Sequence, residues 1–588
     1  MLGRRDHLMK PFNITTLLLV AALLSGCAST GSPPAPAKIE PITVQAKKRA
    51  VTTAHPLATM AALNILERGG SAVDAAIAAQ MVLGLVEPQS SGVGGGALAM
   101  HWDAKAAQLT SFDGLSAAPS RVTAALNQDF DGKTLKSEDV ARGGRSVGVP
   151  GALSVLKMVH DKHGKLPWAS LFDPAIKLAK EGFPLAPRLH ATLSEPNAVK
   201  DLPEMVALYF DASGKLLPVG TVLQNLAYAN TLTRIAQQGP AGFVAQGGGA
   251  SFVAAVQRGA HPSMVSEADM RAYRAEPRET MCAPFLAYKV CAMGPTSFGG
   301  VVVLQKLQML EARLQGAAPA GKFNFDDPEF VHLYAEAARL AQADRLHYIG
   351  DPAFTNVPVA SLIAAPYAKE RARLLDAKNR APSVRPGVMD SKTALLETAP
   401  GSETMDATSQ MAIVDAEGNA LSITTTTNLN FGSRILVDGY VPNNAMTNFT
   451  GLPRAGQAAP NKMEPGKRPV TSMAPVIVFD KEGKPMLVGG SAGGLQIVDY
   501  ITGSLIEMLA NQRTPAQALA RGNISTAVVD KVQLEKDTPA AALAPALTAR
   551  GHTVEIVPLP SGQGFLMRTG DGWIGAADPR RDGVAMGY

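Results

Sequence analysis

The stretch ATSQMAIVDAEGNALSITTTT, residues 407–427, decides the fold. Two runs rich in β-formers, Met411–Asp415 and Ala420–Thr427, flank the turn Ala416-Glu-Gly-Asn419, so the pattern predicts a hairpin with Thr408 at its head. Upstream, from Ala377 to Ala407, the chain is polar and rich in Pro, Ser, Lys and Thr without a sustained apolar period, which reads as a loop. A threonine that opens a strand just after a loop has a chemical use. If the loop is cut before it, the new α-amine can act as general base for the residue's own hydroxyl. That amine titrates near pH ~7.7 to 8.0, a range suited to base catalysis. A strand-end threonine is also an ordinary β residue, so the surroundings must separate the two readings.

Downstream the shape recurs, with Ala474–Asp480, the turn Lys481-Glu-Gly-Lys484, and Pro485–Gly489. This second hairpin runs into Gly490-Ser-Ala-Gly-Gly494 and an amphipathic helix expected over 495–511. Backbone N–H groups of glycines at a helix N-terminus suit a negative charge. Residues Gly489 to Gly493 also match G-x-S-x-G, which makes Ser491 a rival nucleophile. A nucleophile elbow needs an acid and then a histidine downstream, and only His552 is available, on a body that lacks strand–helix alternation.

Toward the N-terminus, Met60, Leu63 and Leu66 recur at helical spacing and stop at Gly69-Gly70. Ser71 to Asp74 then resembles a capping box for a second helix with Val73, Ile77 and Met81 on one face, ending near Pro88. Gln89-Ser-Ser-Gly-Val-Gly-Gly-Gly96 follows, before a strand-like run from Ala97 to Trp102. A dinucleotide fingerprint needs strand, glycines, helix; the order here is reversed, which excludes that reading of Gly92, Gly94 and Ala97. The middle, about 153–377, reads as mostly helical scaffold, with Phe330–Leu340 its clearest amphipathic run. No repeat of 20 to 50 residues is evident.

Composition bounds the rest. With 46% hydrophobic and 18% charged residues over 588 positions, the chain can bury a large core. Its 55 Lys and Arg against 50 Asp and Glu form no basic tract outside the N-terminus, which argues against nucleic acid. The three cysteines have no C-x-x-C spacing and H-E-x-x-H is absent, so no metal or other cofactor is expected. Cys27 has its own setting: Arg4, Arg5 and Lys10 precede an apolar run from Thr15 to Leu24, which ends in Leu24-Ser-Gly-Cys27. This resembles a bacterial lipoprotein signal, and the run is too short to span a bilayer as a mature helix. The expectation is a signal peptide over 1–27, lipidation at Cys27, a Pro/Ser/Ala tether over 28–38, and a periplasmic protein anchored at the outer membrane. An uncleaved anchor and a plain secretory signal are the alternatives. Export would also permit a disulfide between Cys282 and Cys291 across a hairpin turning near 286 and 287, with two unpaired buried cysteines as the alternative.

Several segments together resemble the γ-glutamyltransferase (glutathione hydrolase) proenzymes, which are N-terminal nucleophile hydrolases. They are His55-Pro-Leu-Ala58, Gly69 to Ala76, Glu87 to Gly96, Ala341 with Asp344-Arg345, Gly350-Asp-Pro352, Asn443-Asn444, Arg468-Pro-x-x-Ser-Met473, Gly493-Gly494 and Asp578-Pro-Arg580. The resemblance covers nearly the whole body. It implies an α+β fold, the αββα four-layer N-terminal nucleophile sandwich, made as one precursor and cut between Ala407 and Thr408. A large subunit, 39–407, and a small one, 408–588, would result. Thr408 is then the nucleophile and Thr426 the partner of its hydroxyl. Gly493 and Gly494 form the oxyanion hole, and Asn428, Thr471 and Ser472 hold the γ-glutamyl group.

Three positions depart from the family pattern. Leu115 stands where an arginine usually grips the substrate α-carboxylate, and Ala445 and Asn448 stand where a glutamine and an acid bind the α-amino group. Each lost hydrogen bond to a charged group is worth about 1.5 to 3 kcal/mol. Arg434 is a candidate replacement cation, or else a solvated surface arginine. The expected function is an exported amidase that passes the acyl group of γ-glutamyl compounds such as glutathione, or of a related small-molecule amide, from Thr408 to water or an amine. An acylase of other amides, β-lactam type included, and a non-catalytic binding lipoprotein on the same scaffold are the alternatives.

Overall fold

Both hairpins form where the turn chemistry puts them. In the first, strands Ala407–Val414 and Ala420–Asn428 pair antiparallel. In the second, strands Val476–Phe479 and Pro485–Ala492 do the same. Gly418 and Gly483 supply the positive φ their turns require, at 83° and 76°. The computed structural model describes residues 40–588 apart from 197–198, 200–201, 246, 315–322, 390–406, 454–456 and 529. The signal peptide, Cys27, the tether and most of the loop before Thr408 lie outside the described residues.

Each hairpin sits in a seven-stranded antiparallel sheet. The first hairpin's sheet runs, in spatial order, Val584–Gly587, Ala50–Thr53, Ala407–Val414, Ala420–Asn428, Gly96–Asp103, Gln108–Gly114 and Glu276–Arg278. The second hairpin's sheet runs Ile42–Ala46, Gly572–Ala577, Gly562–Thr569, Pro485–Ala492, Val476–Phe479, Tyr288–Met293 and Thr280–Phe285. The sheets face each other, strands 407–414 and 420–428 over 485–492 and 562–569. Helices Pro56–Glu67 and Ala72–Val86 cover the first sheet, while Gly299–Leu314 and Ile497–Leu509 cover the second. This is the four-layer αββα sandwich that the resemblance implies. Every residue of Ala407–Val414 is buried, because the strand has a helix layer on one face and a sheet on the other. Its sequence therefore carries no polar–apolar alternation. Both sheets combine strands from before and after residue 408, so the expected subunits share the two sheets and are not separate domains.

The seam between the sheets is polar near the hairpins. Gln410 donates through Nε2 to Met411 O at 2.9 Å and Ser422 Oγ at 3.0 Å, and accepts from Thr424 Oγ1 at 2.6 Å. Ser422 Oγ in turn donates across the seam to Gly489 O at 2.7 Å. A Cβ at Gly490 would stand 2.6 Å from Gln410 Oε1, so only glycine lets the sheets approach this closely.

Several expectations meet their elements. Ser71 and Asp74 form a complete capping box on helix Ala72–Val86. Strand Gly96–Asp103 follows the glycine loop, so the order excludes the dinucleotide reading. Cys282 and Cys291 are register partners on strands Thr280–Phe285 and Tyr288–Met293, and they form a disulfide. Two expectations need correction. The helix over 330–340 belongs to Pro328–Tyr348 and is buried through every position from Phe330 to Ala338, because core side chains surround it; it has no solvated face there. The segment 153–377 also supplies strands to both main sheets, through Glu276–Arg278 and the disulfide hairpin.

Replacing Gln410 by leucine strands the Thr424 hydroxyl in a dry seam. We expect a loss of about 1 to 3 kcal/mol in unfolding free energy, read by denaturant titration; an unchanged midpoint would mean the amide does not tie the sheets.

Candidate active site

Thr408 is the second residue of strand Ala407–Val414, where the ladder changes register. Ala407 pairs with Asn428 and Ser409 with Thr425, so one strand advances two residues while its partner advances three. Such a bulge re-aims side chains. Here it brings two hydroxyls to one carbonyl: Thr408 Oγ1 and Thr426 Oγ1 both donate to Ala407 O. The two hydroxyls are themselves 3.4 Å apart, and Asn428 N donates to Thr426 Oγ1 at 2.8 Å. A Cβ at Gly95 would lie 2.2 Å from Thr426 O. Gly95 thus lets the glycine loop pack its backbone against this strand end.

The other predicted residues connect to this point. Asn428 has φ 87°, a conformation few non-glycine residues adopt, and its Nδ2 donates to Asn444 Oδ1 at 3.2 Å and Thr447 Oγ1 at 2.8 Å. That ties it to the short turn Ala445–Asn448. Asn448 Nδ2 reaches Val470 O at 3.4 Å, while its buried Oδ1 has no hydrogen-bond partner among the described residues. Thr471 follows, its carbonyl accepting from Phe298 N at 2.9 Å. Ser472 Oγ donates to Gly494 O at 2.7 Å. Gly493 and Gly494 have φ 127° and 66° and lead into helix Ile497–Leu509. Among the described residues their N–H groups donate no hydrogen bond, which leaves two free donors at a helix entrance, the arrangement an oxyanion needs.

Leu115 follows strand Gln108–Gly114, two strands over from Ala420–Asn428, and is buried in the apolar core that includes Met281 and Phe298. Its carbonyl accepts from Tyr273 OH at 2.5 Å, and its N–H donates to Asp113 Oδ1 at 2.9 Å. Two arginines stand nearby, and both are occupied. Arg278 pairs with Asp113, Glu276 and Asp351 at 3.1, 3.1 and 3.3 Å. Arg468 pairs with Glu276 at 2.9 Å and Asp113 at 3.6 Å. These acids and Tyr273 hold the Arg468 guanidinium above its ordinary range in spite of burial. Ala445 packs against a small apolar cluster of Ala118, Met446, Phe449 and Met463. Arg434 is half-buried at φ 63° and lies in the loop after Asn428.

Ser491 is a poorer nucleophile than its motif suggests. It lies inside strand Pro485–Ala492, paired with Gln563, and its hydroxyl donates to Ala492 O at 2.8 Å. His552 is engaged with His332 at 2.7 Å.

Sequence reasoning missed a buried charged group behind Thr408. Ser409 Oγ donates to Glu87 Oε2 at 3.1 Å and accepts from Ser91 Oγ at 3.1 Å, while Arg188 stands 3.3 Å from Glu87. Burial pushes the Glu87 carboxyl up, against the pull of Arg188 and Arg581. Arg581 Nη1 donates to Thr408 O at 2.9 Å. The segment Glu87 to Gly96 and the motif Asp578-Pro-Arg580 were the only signals, and the second stops one residue short of Arg581.

If the Thr426 hydroxyl polarises the Ala407 carbonyl, Thr426→Val should slow appearance of the two fragments by about 10-fold or more, timed on denaturing gels. Maturation at the wild-type rate would assign that hydroxyl no part in it.

Known proteins resemble this chain over nearly its full length. The family model described as Gamma-glutamyltranspeptidase matches residues 58–588. A glutathione hydrolase proenzyme of Bacillus subtilis (strain 168) is 31% identical over 553 residues, 91% of either chain. The acylase ACY 1 proenzyme of Pseudomonas sp. (strain SE83) is 33% identical over 547 residues, 91% of this chain and 93% of its own. A crystal structure of a cephalosporin acylase from Bacillus halodurans superposes with TM-score 0.77 at 25% identity, covering 96% of this chain and 99% of that one.

Proposed function

This chain belongs to the gamma-glutamyltranspeptidase family of N-terminal nucleophile hydrolases, and from that premise we propose that it matures by cutting itself before Thr408 and then acts as an amidase through an acyl-Thr408 intermediate. The observation that carries the reading is the pair of threonine hydroxyls on the Ala407 carbonyl. In maturation, Thr408 Oγ attacks the Ala407 carbonyl carbon, the C–N bond to Thr408 breaks, and the ester formed is opened by water. Ala407 leaves as a carboxylate and Thr408 keeps a free α-amine. In turnover that amine takes the hydroxyl proton as Oγ attacks the amide carbon, and the departing amine takes the proton as the C–N bond breaks. The N–H groups of Gly493 and Gly494 hold the negative oxygen. Water, or an acceptor amine, then releases the acyl group. On the sequence pattern alone, the same reading has the chain exported and anchored through Cys27.

Thr408→Ala should give one uncut, inactive chain, and Thr408→Ser should keep part of both maturation and activity. Two fragments from the alanine variant would misplace the nucleophile.

The acyl pocket favours donors without a charged α-amino acid head. Leu115 is buried and apolar, Ala445 adjoins the Met446 and Phe449 cluster, and neither nearby arginine is free. Placing a carboxylate beside Leu115 would bury a charge without a partner. Among the relatives, the name of the Pseudomonas protein is that of an acylase. Comparing kcat/KM for a γ-glutamyl anilide and its glutaryl counterpart, which lacks the α-amine, together with an analogue lacking the α-carboxylate, tests this. Wild type should discriminate less than about 10-fold, and Leu115→Arg should shift the ratio toward the α-carboxylate by about 10-fold or more. A strong wild-type preference for the intact γ-glutamyl group would sink the idea.

A further inference from the structure

The loop 578–583 carries the chain from strand Gly572–Ala577 of one sheet to strand Val584–Gly587 of the other. It is fixed from below. Arg580 forks onto Glu535 at 2.6 and 2.8 Å, pairs with Asp578 at 3.1 Å, and donates to the carbonyls of Leu519 and Arg521. With Arg580 committed outward, Arg581 turns inward. Its Nε donates to Pro560 O at 3.1 Å, and its stem lies so close to Gly562 that a Cβ there would meet Cδ at 2.7 Å. Its Nη1 reaches Thr408 O at 2.9 Å.

A buried guanidinium is a costly way to satisfy two carbonyls. The need follows from the sheet. On that side of strand Ala407–Val414 the neighbour is Ala50–Thr53, which pairs only with Ala412, Ile413 and Val414. The ladder has ended before Thr408, and Arg581 supplies the donor that a strand would have supplied. The same contact puts a positive charge beside the residue that would carry the new α-amine. Covalent geometry keeps an amine nitrogen within about 4 Å of its own carbonyl oxygen, so Arg581 stands within about 7 Å of it. A like charge at that range disfavours the ammonium form. The other groups facing Arg581 are Arg188, Glu87, Asp578 and Tyr500, with Asp582 beside Glu87. Asp578 is matched by Arg580, and Glu87 by Arg188. Asp582 accepts from Arg188 N at 3.0 Å. Burial brings Arg581 itself down to about 9, which leaves it charged at neutral pH.

We propose that Arg581 is a positioning residue: it holds the Thr408 carbonyl where the strand ladder has run out and keeps the freed α-amine in the uncharged form that takes the hydroxyl proton. The proposal rests on the reading of Thr408 as an N-terminal nucleophile and deepens it.

The test is the pH profile of kcat/KM for whichever of the γ-glutamyl and glutaryl anilides the purified, processed protein turns over, in wild type, Arg581→Met and Arg581→Lys. Activity rises with pH as the amine loses its proton, so the acidic limb reports that amine. In wild type the limb should lie below the ordinary range of about 7.7 to 8.0. Arg581→Met removes the like charge and should move the limb up by about one pH unit, while Arg581→Lys should leave it near wild type. A wild-type limb at or above about 8 overturns the proposal. So do equal limbs in all three proteins with rates that fall together, the mark of a merely structural side chain. Should Arg581→Met stay uncut, the position of the wild-type limb decides the matter: below about 7.7 it supports the proposal, and at the ordinary range or above it overturns it. Failure of the underlying reading looks different, because Thr408→Ala would then still be cut and active.

Discussion

On the proposed reading one peptide carbonyl, that of Ala407, must be held as strand backbone and yet be open to attack. A regular antiparallel ladder would satisfy it with a partner N–H and turn the neighbouring side chains to opposite faces. The register shift between Ala407 and Ser409 breaks that regularity at a single place. Two hydroxyls take the position of ladder donors, so the carbonyl is still satisfied but now by groups able to react or polarise. The cost of irregular backbone is met around it: Gly95 lets the glycine loop lie against Thr426, Asn428 accepts a positive φ, and Ser409 is tied to Glu87.

The proposed cut in that strand would leave the fold standing because of how the sheets are woven. Strands from both sides of residue 408 are combined in each sheet, and one edge of the first sheet is formed by strand Val584–Gly587. Breaking one covalent bond frees an end but removes no ladder between strands. The polar seam through Gln410 and Ser422 lies two residues beyond the bond and crosses to Gly489. It would keep the proposed new terminus registered over the second sheet, where strand Pro485–Ala492 leads to Gly493 and Gly494.

Local chemistry was legible where it is local. The two hairpin turns, the Ser71 capping box and the reversed order around Gly92 to Gly96 each depend on residues within a few positions of one another, and each appears as read. Residues 330–338 misled because their polar members, His332 and Glu336, are buried with partners of their own, His552 and Arg339. The strands after residue 560 gave no signal in a sequence punctuated by glycine. Arg581 was illegible for a deeper reason. Its meaning lies in a contact with Thr408, 173 residues away, and in the absence of a strand at that point, and neither is written near position 581. The departure at Leu115 was visible only by comparison with a family pattern, since a buried leucine is unremarkable by itself.

The electrostatics around Leu115 carry that departure further than one lost arginine. Two guanidiniums, Arg278 and Arg468, remain within the same cluster, and a donor carboxylate could in principle recruit either. They face three buried or half-buried carboxylates, Asp113, Glu276 and Asp351, and every acid is within 3.3 Å of at least one of them. The cluster is thus balanced or slightly negative before any ligand arrives. To release Arg278 for substrate would strand Asp351, an acid that is 0% exposed, and to release Arg468 would leave three carboxylates on one guanidinium. Breaking a buried pair in this way costs about 3 to 5 kcal/mol, more than one charged hydrogen bond returns. These arginines are structural counterions for the end of strand Gln108–Gly114. Leu115 and Ala445 add only apolar surface beside them, so on the proposed reading selection of the acyl group falls to shape and apolar contact.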